Sequence, residues 1–346
     1  MKSIHEIVSA KEIAAYYAEK MSNKIPYLGE VLFPRSKTLG LDLSWIKGAG
    51  GLPVVLKPSA FDVNVTLRDR VGLSKIETEM PFFKEGILVK EKDRQELNKL
   101  LGSGNTQYLD LILSKIFDDA TTLVDGAVAQ EERLRMQLLT SGRIAVTANG
   151  VDLDYDYKMS GEHKGQVVAS WSQHDTANPI VDIQKAQLKI ATDTGTKPNR
   201  LIMNSVTFNN LMMNKAIKKD MNILSGEHII LTEEMVKQYM KSKLQVVIQI
   251  YDKMFKDETG ADKKYIPDST VAIIPEGTLG KTMFGTTPEE SDLMSGTDAD
   301  VSIVNTGMAI TTTKKTDPVN VETKVSMITL PSFERMDELF ILDTEL

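Results

Sequence analysis

Four patterns in the chain have the residue types for chemistry, and each lacks a part the chemistry needs. Gly280-Lys281-Thr282 matches the end of a phosphate-cradling loop, where backbone N–H groups wrap the phosphates and the lysine reaches them. The first glycine of such a loop would stand at position 275, which is Pro275, a residue without an N–H. The segment reads instead as a turn after a strand at 270–274. Ser44-Trp45-Ile46-Lys47 has the Ser-x-x-Lys spacing of acyl-serine enzymes, but neither the Ser-Asp-Asn nor the Lys-Thr-Gly partner motif is in the sequence.

Asp152, Asp154 and Asp156 are spaced like calcium-loop ligands. The sixth position lacks glycine and the twelfth is His163 where a glutamate is required. Leu153, Tyr155 and Tyr157 alternate with the acids, which describes a strand with one acidic and one apolar face. His5, His163, His174 and His228 are too scattered for a metal pair, and with no cysteine there is no thiolate site or disulfide. Spacing alone couples no two of the 48 acidic residues as acid and base. Met203, Met212 and Met213 read as core filling of a small α/β unit rather than as a binding surface. The expectation is no catalytic, cofactor-binding or metal-binding residue, and a chain that is not an enzyme.

Composition narrows the classes further. The 346 residues carry 41 Lys+Arg against 48 Asp+Glu, a net charge of −7, which argues against a protein built to grip DNA phosphates. No run of about 18 apolar residues predicts a membrane span, and residues 1–22 are too charged for a secretory signal. Work or assembly in a reducing cytoplasm is expected.

The elements that must carry any function are unusual. Ser3 and Glu6 form a capping box for a helix ending near Met21, before Pro26. Residues 27–58, with Pro26 just before them, mix Pro34, Pro53 and Pro58 with large apolar residues (Leu32, Phe33, Leu39, Leu41, Leu43, Trp45), which suits an arm lying across another surface. Residues 53–96 read as a long charged two-stranded excursion, with 81–83 and 87–89 as its return strand; such a ribbon is marginal in water unless it lies on a partner. Apolar residues from Leu109 to Leu138 trace one stripe of a helix over 105–141, roughly 50–55 Å long. Gly126 interrupts it, either to let a neighbouring element pack closely or to permit a bend.

Asn149-Gly150 between two alternating runs predicts a hairpin. Pro179 opens a helix to about Thr194. Strands follow at 201–204, 244–251, 270–274, 301–305, 321–330 and 338–342, with helices begun by Ser205 and Thr232.

Several segments, in order, resemble the tailed-phage major capsid proteins typified by the lambda-like coat protein E. They are Leu28-Gly29-Glu30-Val31-Leu32-Phe33-Pro34, the run Arg133–Ile144 leading to Asn149–Tyr155, Trp171-Ser172 with Asn178-Pro179-Ile180, and Lys197-Pro198 before Leu201–Asn204. Then come Ile274-Pro275-Glu276-Gly277, the run Phe284–Glu290, Asp317–Thr323, and Leu330-Pro331-Ser332-Phe333-Glu334. Residues 3–22 lie outside these blocks.

The resemblance implies an α+β chain of the tailed-phage major capsid fold (the Hong-Kong-97-like fold). It implies an N-terminal arm (1–52), an extended β-hairpin loop (53–96), a peripheral domain (97–197 and 309–346) with a spine helix at 105–141, and an axial domain (198–308). The implied function is self-assembly of pentamers and hexamers into an icosahedral phage head around packaged double-stranded DNA. Portal and decoration proteins are implied partners. A chain that begins with its arm points to a separate scaffolding protein. Phe33 and Trp45 are then the arm's apolar anchors, and Arg68, Arg70, Lys75, Glu77 and Glu79 the loop's charged contacts between subunits. Each exposed pair contributes roughly 0–1 kcal/mol, and repetition supplies the rest. Gly126 becomes a spine bend that straightens on maturation. A bacterial nanocompartment enclosing enzymes and an α/β enzyme at 198–308 are the competing readings.

Overall fold

A computed structural model describes residues 9–21, 26–47, 74–89, 91, 95, 99, 106–221, 230–294, 299–316 and 319–346. The chain divides into two compact units, Met1–Leu43 with Glu77–Leu134 and Lys281–Ser332, and Ser44–Ile76 with Arg135–Gly280 and Phe333–Leu346.

The first unit is built on the 13-residue strand Val319–Pro331. Met308–Thr316 pairs antiparallel along it and Asp300–Val304 lies outside that strand. Phe82–Val89 pairs antiparallel with the same central strand from Ile328↔Phe82 to Val321↔Val89. The segments 81–83 and 87–89 are therefore one strand inside a six-stranded sheet, not the free return of a ribbon. It is held because its partner's alternation places Val321, Val325 and Met327 in the core. Strand Thr282–Phe284 joins the end of Val319–Pro331, and Arg35–Lys37 adds to it in parallel.

Helix Thr106–Ser141 runs for 36 residues, about 54 Å at 1.5 Å per residue. Ala120, Val124 and Val128 press on the sheet's Met308, Ile310 and Val325, and Ala10, Ile13 and Tyr17 of helix Ala10–Met21 complete the same core. The strand Met308–Thr316 escapes a hydropathy reading because Thr311 and Thr312 look polar. Both are fully buried, and their β-branched shape suits a pleated sheet covered on both faces.

The second unit holds a five-stranded sheet in the order Lys164–Gln166, Phe340–Asp343, Thr270–Ile274, Arg200–Met203, Val247–Ile250. Helices Pro179–Thr194, Ser205–Met213, Lys215–Met221 and Glu233–Leu244 contribute to a core with Leu201, Met203, Ile248, Val271 and Ile273. Local chemistry sets their ends. Asn178 accepts from the Val181 N–H with Pro179 in the first helical turn, and Gly195 closes that helix at φ 76°. Asn204, not Ser205, caps the next helix by accepting from the Thr207 N–H at 2.9 Å. That helix stops at Met213, and Lys215–Met221 follows as a separate turn of helix. Asn149 and Gly150, both at positive φ, turn the hairpin Arg143–Ala148 / Val151–Asp156.

Candidate assembly surface

The arm is the segment whose placement matters most for assembly. In helix Leu28–Leu32 the Gly29 N–H donates to the buried Glu132 carboxylate at 3.0 Å. Arg35 bridges two acids, Glu30 at 2.7 Å and the fully buried Glu131 at 2.9 Å. Paired burial of this kind is costly to form and more costly to break on one side. The chain then becomes a sheet strand: Thr282 N–H donates to the Pro34 carbonyl, its hydroxyl to the Phe33 carbonyl, and the Thr38 N–H to the Phe284 carbonyl. Lys37 pairs with Glu290 and donates to the Gly285 carbonyl. Gly285 is required there, since a Cβ would stand 2.6 Å from the Gly40 carbonyl oxygen.

This docking corrects the expectation for Phe33. Its side chain is fully buried within the chain, as are those of Leu32 and Leu43, so it has no surface left for a neighbouring copy. Val31 is exposed on its helix, and Leu39, 89% exposed, and Leu41 face solvent farther along the arm. Gly40, at φ +82°, makes the turn that presents them.

Helix Ala10–Met21 is fastened at both ends. Asp300 accepts from the Ala10 N–H at 2.6 Å, and Asn305 donates to the Tyr17 hydroxyl at 3.1 Å. Lys20 at 2.8 Å and the Tyr16 hydroxyl at 3.0 Å both reach Asp118, and these bonds hold its carboxyl below the usual carboxylate range. The Tyr16 ring stacks on Phe117.

The strand pair leading into the excursion begins at Asp42, ahead of the expected start at residue 53. This stem joins Asp42–Lys47 to Ser74–Glu79, closed by the Met80 N–H donating to the Leu41 carbonyl at 2.9 Å. Trp45, Lys75 and Glu77 lie in these strands, with side chains outside the described residues, and Glu79 is exposed at the stem's foot. Arg68 and Arg70 lie outside the described residues. A Cβ at Gly126 would meet no atom within 4 Å, so among the described residues close packing does not explain this glycine.

The apparent chemical motifs dissolve into structure. Thr282 is fully buried in a sheet strand and Lys281 donates its N–H to Ser332, which leaves no phosphate cradle. Ser44 and Lys47 lie on one strand, Asp42–Lys47. Asp154 pairs with Arg143 and Asp156 with Lys158, and the Arg143 guanidinium beside Asp154 holds its carboxyl below the usual carboxylate range. Among the described residues no three His, Cys, Asp or Glu side chains converge on a metal position, and no helix is long and apolar enough to cross a membrane. Met203 is buried in the core while Met213 is half exposed.

A model of the family described as phage major capsid protein E matches residues 9–344. Among solved structures, the chain is similar to the capsid protein of a prophage from E. coli CFT073, with a TM-score of 0.62 at 14% identity over 97% of this chain and 99% of that one. It is similar to a phage-related protein of Bordetella bronchiseptica RB50, with a TM-score of 0.58 at 13% identity over 97% of each chain. The capsid of cyanophage A-1(L) gives 0.50 at 8% identity over 92% of each. No curated protein matches the sequence.

Proposed function

The chain belongs to the phage major capsid protein E family, whose members build icosahedral shells, and from that premise we propose that its shell is the head of a tailed phage, closed around packaged double-stranded DNA. The observation that carries this reading is the extent of the family match, which takes in the arm, the long helix and parts of both units. The protein is a structural coat protein, and its work is done by weak heterologous contacts repeated over a closed surface.

In this reading residues 1–52 are the arm, and the loop carried on the 42–47/74–79 stem reaches over a neighbouring copy. Trp45, Arg68, Arg70, Lys75, Glu77 and Glu79 are its contacts. Leu39 and Leu41 take the role at the arm that Phe33 cannot fill. Thr106–Ser141 is the spine, the region 198–308 surrounds the five- and six-fold axes, and the peripheral segments 97–197 and 309–346 link capsomers. Gly126 is the place where the spine bends, a role supported by its open surroundings. A scaffolding protein and a portal are partners, a decoration protein is a further one, and assembly takes place in the host cytoplasm.

Expression with the neighbouring genes, followed by negative-stain microscopy and nucleic-acid analysis of purified particles, tests this. Closed shells of uniform size that carry DNA are expected. Shells filled with protein cargo and free of a genome would favour a nanocompartment, and a small soluble oligomer would overturn both.

A further inference from the structure

The run Leu244-Gln245-Val246-Val247-Ile248-Gln249-Ile250-Tyr251 contains no charge and no proline. Its middle, Val247–Ile250, is the outermost strand of the second unit's sheet, paired in parallel with Arg200–Met203 on one side only. The Val247 N–H donates to the Asn199 carbonyl at 2.8 Å and the Tyr251 N–H to the Met203 carbonyl at 2.9 Å. By the two-residue period of a strand, the amides and carbonyls of Ile248 and Ile250 point away from the sheet. Among the described residues no strand pairs with that outer edge. Val247 is 53% exposed and Gln249 is exposed beside it. Edges open to water are ordinarily blunted by lysines, proline or a bulge, and an uncharged β-branched edge invites another chain.

Charge says which chain and which side of it. Helix Glu233–Leu244 packs against this strand and is tied to helix Lys215–Met221 by Lys243 and Asp220; the two helices carry six lysines against three acids and leave Lys219 and Lys241 exposed, with no acidic partner among the described residues. At the other end of the sheet, strand Lys164–Gln166 is bordered by exposed Asp343 and Glu345; the Gln166 side chain donates to the Glu345 carbonyl at 2.8 Å. Two basic sides would repel each other, so a two-fold pairing of this edge with itself is disfavoured. A basic side against an acidic side is complementary, and repetition of such a head-to-tail contact closes a ring.

We propose that the Val247–Ile250 edge is covered by a second copy of this chain, which presents the side bearing Asp343 and Glu345. The inference rests on the shell reading and specifies one contact within it.

Three chains are assembled beside the wild type. Val247→Lys with Gln249→Lys places charge on exposed positions, so the melting temperature should hold while the particle fraction, read by sedimentation and microscopy, drops about ten-fold or more. Lys219→Glu with Lys241→Glu should give a similar loss, and adding Asp343→Lys with Glu345→Lys to that chain should recover particles. The proposal fails if the edge variant assembles like the wild type. It fails equally if the fourfold variant is no better than the chain with Lys219→Glu and Lys241→Glu alone, because the partner side is then wrong. Absence of particles from the wild-type chain sinks the shell reading and the contact together, whereas normal wild-type shells with indifferent variants remove only the contact.

Discussion

The sheets of the two units end in different ways. In the first unit, Arg35–Lys37 is only three residues long and has both its cations engaged by acids, helix Ala10–Met21 lies against the edge strand Asp300–Val304, and Phe82–Val89, paired on one side only, carries Lys84 and Glu85. In the second unit, Val247–Ile250 has neither charge nor cover among the described residues. The N-terminal segments thus act first on their own unit, finishing a sheet and filling a core, and only then present what is left to other copies. A chain that assembles can fold one unit as a finished body and leave an unfinished surface on the other.

The sharpest way to break this comparison is Phe33→Ala. With Phe33 fully buried within the chain, the unassembled subunit should lose about 3–5 kcal/mol in denaturant unfolding. A normal subunit with defective shells would instead return Phe33 to the role of an intersubunit anchor. Arg35→Met comes next: stripping the buried Glu131 of this partner should cost about 3 kcal/mol, and Arg35→Met with Glu131→Met should recover much of it. A double variant as unstable as the single one would show that the pair is not coupled.

Asn178→Ala removes the cap of helix Pro179–Thr194 and should lower the second unit's stability by about 1 kcal/mol, visible as a shift of its melting transition. Gly126→Ala acts in the opposite direction. The open space at this position lets the subunit gain up to about 1 kcal/mol of helix stability. If the spine must bend, precursor shells of this variant should form and then stall before maturation; unchanged maturation would dispose of the bend.

The smallest effect is pH-dependent. Asp118 has its carboxyl lowered by Lys20 and then Tyr16, so its hold on helix Ala10–Met21 is present above the ordinary carboxylate pKa of about 3.9 and fades as pH falls through the lower folded value. Amide protection in residues 10–21, taken relative to the intrinsic exchange rate at each pH, should fall on that acid side only, and Asp118→Asn should flatten the dependence.

Much of the local structure could be read along the chain, because it is written in neighbouring residues. Pro179 after Asn178, Thr232, Asn149-Gly150 and the stripe from Leu109 to Leu138 each act within a few residues, and the structure places elements at all of them. The misses involve distant partners. Asn204 displaced Ser205 as cap because its amide also donates to the Ile266 carbonyl, 62 residues away. Phe82–Val89 looked like half of a ribbon because its true partner, Val319–Pro331, lies at the far end of the chain. Phe33 looked like a free anchor, yet its side chain is sealed, and its carbonyl accepts from the Thr282 hydroxyl, 249 residues away.

From the order of amino acids alone came the α+β class, the long helix, the lack of any complete catalytic or metal motif and the likeness to phage coat proteins. These depend on short-range periodicity and on what residue types can do. Which apolar residues are spent inside a subunit and which remain for its neighbours was decided only in three dimensions. Phe33 and Leu39 are both large apolar residues of one arm, yet one is sealed and the other open. Burial is settled by whatever surface the rest of the chain brings alongside, and no local pattern carries that information.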